Sequence, residues 1–198
     1  VITDAIATPV KVVRHAAIKA GETVAVFGAG GGLGIHMVML AKWAHARVIA
    51  DDIATDKFDA CRDAGADECV NPRDGDAIEA LKDLSGGGID VAIDFVSSRE
   101  TLETTVQCLG RGGRMVTLGG SGETFSAHAH AMLEKELVLM GSRYATRQEV
   151  IESLELCARG DVWPLVTETA DMDGAEALHE RVEQGLVTGR AAILMDGT

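Results

Sequence analysis

The stretch TVAVFGAGGGLGIHMVMLAKW, Thr23 to Trp43, constrains the fold more than any other part of the chain. A short apolar run ends in a burst of glycines, and a helical period starts at once. The run lacks apolar–polar alternation, as does RVIA after it. Such runs suit central parallel strands covered by helices on both faces. Expected strands are Glu22–Gly28, Ala46–Asp52, the short ECVNP run, Asp90–Val96, Arg114–Gly120 and Leu137–Ser142. Helical periods separate them. The first, GLGIHMVMLAKWAH, puts Leu33, Met37, Leu40 and Ala41 on one face. TDKFDACRDAG reads as a helix with Thr55 as N-cap and Gly65 as its stop. DAIEALKDLSGGG reads as a helix, and RETLETTVQCLGRGG as helix plus turn. Repeated β-α-β order with right-handed crossovers predicts an α/β fold: a doubly wound parallel six-stranded sheet with helices on both faces. After Ser142 the rhythm changes to a helix, an extended WPLVTET, a second helix and a last strand in GRAAILM.

The glycine burst has the physics of a dinucleotide-binding turn. A strand must turn tightly, the backbone must approach a pyrophosphate, and the helix N-terminus must aim free N–H groups at it. Glycine serves each need because it has no Cβ. The strict spacing G-x-G-x-x-G fits nowhere, since counting from Gly28 it ends on Leu33. The looser G-x-x-G-x-x-G fits at Gly28, Gly31 and Gly34. Gly28 then makes the turn, Gly30, Gly31 and Gly32 permit close approach, and Gly34 lets the helix pack on the strand. A glycine-rich turn that binds nothing is the bland alternative. The second strand ends in acid, at Asp51 and Asp52, about 20 residues past the glycines, where a ribose-binding carboxylate belongs. Two acids in a row allow one to cap the turn while the other binds ribose. A carboxylate there repels a 2′-phosphate and no Arg directly follows, so NAD is expected over NADP.

Composition excludes other classes. Eighteen basic side chains against 31 acidic ones give a net charge of −13, which repels phosphate backbones and anionic membranes. No nucleic acid and no membrane are expected as partners. No apolar stretch approaches the ~18 residues of a span, and no signal peptide is seen. The chain opens on VITDAIATP, which reads as a fragment, a processed chain or a truncated one. Cys61, Cys69, Cys108 and Cys157 form no C-x-x-C pair and fit free thiols in a reducing, cytoplasmic setting.

Several motifs in order, GAGGGLG, VIADDIATDKFDACRDAGADECVNP, GGGIDVAIDFV, LGRGGRMVTLGG, GSRYATRQEV and GLVTGRAAIL, resemble the medium-chain, zinc-dependent alcohol dehydrogenases. The resemblance runs along almost the whole chain. It implies residues 1–7 as the end of a connection to an absent N-terminal catalytic domain, 8–142 as an NAD-binding Rossmann domain, and 143–198 as a segment packing on it. It implies cofactor contacts at Gly28, Gly30 and Gly31 in the turn, at Gly32 and Leu33 for the pyrophosphate and nicotinamide, and at Asp52, Ile53 and Lys57 around the adenosine ribose. Val96 matches an adenine-side wall. Leu118, Gly119 and Gly120 match a strand end that bonds the carboxamide, with Tyr144 near it. Thr8 packs on the nicotinamide, and Arg190 reaches the pyrophosphate. Four residues before Thr8, where many members place a zinc-ligating cysteine, stands Asp4. It is either a carboxylate zinc ligand or the N-cap of a helix running towards Ala17.

The activity so implied is hydride transfer between an alcohol, ketone or aldehyde and NAD(H). Zinc is implied in the intact protein, and the isolated chain is expected to be inactive. Homodimers or homotetramers through the sixth strand are implied as well. The alternatives are a zinc-free quinone or enoyl reductase of the same superfamily and a non-catalytic nucleotide-binding module. Ser97 and Ser98 lack the context of a nucleophile. The pair His128 and His130 reads as a surface loop, and His36 as a packed or half-exposed side chain.

Overall fold

A computed structural model describes residues 1–195. In chain order the elements are α1 (Ile2–Ala5), α2 (Ala7–His15), β1 (Thr23–Phe27), α3 (Gly34–Trp43), β2 (Arg47–Asp51), α4 (Phe58–Asp63), β3 (Glu68–Val70), α5 (Ala77–Ser85), β4 (Ile89–Asp94), α6 (Arg99–Cys108), β5 (Leu109–Thr117), α7 (Ala129–Lys135), β6 (Val138–Gly141), α8 (Arg147–Arg159), β7 (Val166–Ala170), α9 (Ala175–Glu183) and β8 (Arg190–Ile193). The six-stranded sheet is parallel throughout, in the order β3-β2-β1-β4-β5-β6. The strand order reverses between β1 and β4, so a crevice opens beyond their carboxyl ends. β7 and β8 form a separate parallel pair.

β1 shows why its sequence lacks alternation. Val24 and Val26 join the apolar cluster on one face of the sheet, and Ala25 and Phe27 join the cluster on the other. Each large side chain buried this way contributes roughly 1.5–3 kcal/mol.

Several expectations need correction. α3 is buried from Gly34 through Ala41, not along one face, because α2 and the segment after Ser142 pack where solvent was expected. Thr55 caps nothing; it starts a 3-10 turn, Thr55–Lys57, which runs into α4 without a side-chain cap bond. The expected turn LGRGG is the first half of β5, where the register against β4 jumps from Ile89↔Leu109 to Val91↔Arg114. Asp4 is not an N-cap, since it lies inside α1, whose cap position is Val1. His130 lies on a short exposed helix, α7, and not in a loop, while His128 is the extended, exposed residue just before it. No helix among the described residues is long and apolar enough to cross a membrane.

Candidate functional site

The chain enters the crevice at Gly28. Its φ of +73° is open to glycine at little cost. The Gly28 and Ala29 N–H groups both donate to the Asp51 carbonyl, at 2.9 and 3.1 Å, which ties the loop to the end of β2. Gly34 is bare for packing. A Cβ there would lie 2.1 Å from the Gly28 carbonyl oxygen. Gly30 and Gly32 are also bare for reasons that spacing did not offer. A Cβ on Gly30 would strike the Lys57 stem at 2.6 Å, and one on Gly32 would strike Arg190 at 2.9 Å.

Two clefts flank this loop. The first, of about 260 Å³, is lined by Gly28, Asp51, Asp52, Ile53, Val96 and Arg73, among others. The second, of about 430 Å³, is lined by Asp4, Thr8, Leu33, Leu118, Gly119, Gly120 and Tyr144, among others. Every residue that the sequence assigned to adenosine, except Lys57, lines the first. Every residue assigned to the nicotinamide lines the second, and Gly30 and Gly31 stand between.

Asp52 is held from two sides. Its Oδ2 accepts from the Gly30 N–H at 2.8 Å and its Oδ1 from the Ala54 N–H at 2.9 Å. Asp52 thus anchors the glycine loop and caps its own turn. Asp51 is buried, with Oδ2 unpartnered. Burial, reinforced by Asp52, Asp94 and Glu100, pushes its carboxyl up to about 7. Lys57 is buried beneath the loop, and its ammonium donates to the Val187 carbonyl at 2.9 Å. Arg190 donates from Nε to the Gly32 carbonyl at 3.0 Å and pairs with the Asp4 carboxylate, whose other oxygen accepts from the Thr8 hydroxyl at 3.1 Å.

The residues fit a dinucleotide. The loop is free of side chains where a pyrophosphate would lie, the clefts stand on either side of it, and an orphaned buried oxygen marks the first cleft. They do not compose a zinc site. Asp4 is already engaged by Arg190 and Thr8, and the described residues hold no group of three or more His, Cys, Asp or Glu able to share a metal ion.

Residues 32–159, more than half of the chain, match the family described as zinc-binding dehydrogenase. The chain belongs to the zinc-binding dehydrogenase family. It is 31% identical over 186 residues to an alcohol dehydrogenase of Geobacillus stearothermophilus, covering 94% of this chain and 54% of the relative. It is 29% identical over 189 residues to the NAD-dependent alcohol dehydrogenase of Sulfurisphaera tokodaii, again covering 94% and 54%. The solved alcohol dehydrogenase of Aeropyrum pernix superposes with a TM-score of 0.87 at 34% identity, covering 95% of this chain and 55% of that one. The chain therefore spans about half the length of the relatives it matches.

The sequence read His36 as a packed or half-exposed side chain, but the bonding roles of His36, Asp94 and Ser97 were not read from it. His36 is fully buried. Its Nδ1–H donates to the Gly32 carbonyl at 2.8 Å, and its Nε2 accepts from the Leu165 N–H at 2.8 Å. Burial lowers its pKa and favours the neutral ring that this pattern requires. Asp94, at the end of β4, accepts from the Val96 and Ser97 N–H groups and from the Thr101 hydroxyl. Burial raises its pKa despite them. Ser97, held at φ +55°, passes this order on. Its hydroxyl bonds Thr117 at 2.6 Å and accepts from the Gly119 N–H at 2.9 Å. A Cβ on Gly119 would meet that hydroxyl at 2.4 Å, so only glycine lets β5 end this close. An Asp with a Ser three residues on, just after a strand, was the available signal for this pair. For His36 there was none, because its partner lies 129 positions away.

Proposed function

We propose that this chain is the NAD-binding part of an alcohol dehydrogenase acting between an alcohol or carbonyl substrate and NAD(H). What carries the reading is the pair of clefts on either side of a glycine turn held by Asp52. Bound there, the nicotinamide would supply or accept a hydride. Asp52, Ile53 and Val96 bind the adenosine half. The turn from Gly28 to Gly32 bears the pyrophosphate, with Arg190 and Lys57 holding its shape from beneath. Thr8, Leu33, Gly119, Gly120 and Tyr144 orient the nicotinamide. The Asp94–Ser97 link fixes the strand end that faces the carboxamide. The names of the curated relatives support this reading over a quinone or enoyl reductase or a non-catalytic module.

Asp4 is proposed here as the anchor of Arg190. A zinc-ligand role would require it to give up that ion pair. Residues 8–142 are proposed as the cofactor unit, with 143–198, which runs past the described residues, docked onto it. Two copies are proposed to pair through β6, and the four free cysteines support a reducing, cytoplasmic setting.

Titrating the chain with NADH and with NADPH while following nicotinamide fluorescence tests the cofactor assignment. NADH is expected to bind at least about 10-fold tighter, which corresponds to ~1.4 kcal/mol. Asp52→Ala should close most of that gap. Tighter binding of NADPH by the wild type would overturn the assignment and favour the reductase. Arg73, which lines the same cleft, is the cation that would then be responsible.

A further inference from the structure

Asp51 ties the glycine loop to β2 through its carbonyl, and its side chain is part of the wall of the adenosine cleft. It is only 3% exposed, and its Oδ2 has no partner. A buried carboxylate in that condition carries a large desolvation cost. Its neighbours make the charge harder to bear. Asp52 follows it in the chain, Asp94 ends the strand two places along the sheet, and Glu100 projects from the start of α6. The three charges that act on it are thus all negative. Cys108, on α6, senses Asp51 in turn as a negative neighbour. Arg73 reaches the same cleft from the loop between β3 and α5.

A carboxyl so placed is at ease as a neutral acid. In that form it gains an O–H donor and loses its repulsion towards a phosphate-bearing ligand. Resting on the dinucleotide reading above, we propose that Asp51 enters the cofactor complex as a neutral carboxylic acid whose O–H serves the adenosine half of the ligand, so that binding takes up a proton there. The ligand covers the cleft, excludes water and brings negative charge. Each effect favours the protonated acid. The proton comes from the buffer, and no other bond is made or broken. The residue thereby couples cofactor affinity to pH from the adenosine end of the site, away from the reacting carbon.

ADP-ribose is the probe of choice, because it fills the adenosine half without a nicotinamide. Calorimetry of its binding to the full chain, in two buffers of different ionisation enthalpy, counts protons. At about pH 8, where free Asp51 is mostly ionised, uptake should approach about one proton per site. At about pH 5.5, where it is already protonated, uptake should vanish. Asp51→Asn keeps a donor and removes the titration, so it should bind ADP-ribose with no uptake at either pH. Equal heats in the two buffers for the wild type at about pH 8, or undiminished uptake there in Asp51→Asn, would overturn the proposal. Carbon-detected NMR of the wild-type carboxyl needs no variant. Its titration midpoint should move up when ADP-ribose is added, and an unmoved midpoint refutes the coupling. Failure of ADP-ribose to bind at any pH is a different outcome, and it removes the dinucleotide reading itself.

Discussion

At the scale of residues, Asp51 and Asp52 show what a sequence reveals and what it hides. The two are chemically identical and adjacent, and the sequence placed both at the cofactor. Strand alternation separates them. Asp51 falls on the face of β2 that carries Ile49, whereas Asp52 leaves the strand and is held by two backbone N–H groups. That parity was available in the sequence, but the acids invited a functional reading first. The burial of Asp51 has a measurable cost. Its folded value of about 7 stands above the ordinary 3.8. The folded state therefore holds the proton more tightly than the unfolded state, and stability falls as pH rises between those two values. The limit is ~4 kcal/mol for about three units, at 1.36 kcal/mol each. Asp51→Asn has no such titration. In urea unfolding, its stability relative to wild type should climb across that window and level off above it. A constant difference across the window would mean that Asp51 is not the titrating group.

At the scale of elements, the strands of the main sheet were legible because most carry a short apolar run closed by glycine, aspartate or asparagine. The sheet and its order followed from the β-α-β rhythm. What was not legible is how the segment after Ser142 grips the glycine loop. The Gly189 N–H donates to the Gly30 carbonyl at 3.2 Å, Lys57 caps the Val187 carbonyl, and Arg190 and His36 converge on the Gly32 carbonyl. Apart from the local His36–Gly32 bond, these bonds, and the one from the Leu165 N–H to His36, join positions more than a hundred residues apart, and no local periodicity encodes them. His36 is the most testable of the four. His36→Leu keeps bulk but strands the Leu165 N–H, at a cost of about 2 kcal/mol. The wild-type ring has a folded pKa below 6.5. Its contribution is therefore present above 6.5 and is lost as acidification carries pH through the lowered value. Thermal unfolding should show the variant less stable at neutral pH, with the gap narrowing in acid. A gap that is flat with pH would remove His36 as the acid-sensitive tether.

At the scale of the whole molecule, a chain of net charge −13 is proposed to associate with its own copy. Like-charged protomers repel, so the contact must supply more than it loses. β6 is an edge strand of the main sheet, with one side open to pairing. Val138 on that strand is 46% exposed, and Leu133 on the preceding α7 is 75% exposed. A twofold axis beside β6 would join two edges in one continuous sheet and cover both side chains. Screening works in favour of that contact. The Debye length shrinks from about 10 Å at 0.1 M salt to about 3 Å at 1 M, so repulsion between protomers weakens while apolar burial does not. Light scattering on the full chain should therefore find a mass near twice 20.8 kDa, with the monomer fraction falling as KCl is raised. Val138→Glu places a charge where the edges meet and should return the protein to monomer at about 0.1 M salt, where screening is weak. Because Val138 is half exposed, the variant has little cause to unfold, and circular dichroism can verify that it has not. A wild type that stays monomeric at both salt concentrations, or a variant as dimeric as its parent, would sink the β6 interface and return the exposed residues to some other neighbour.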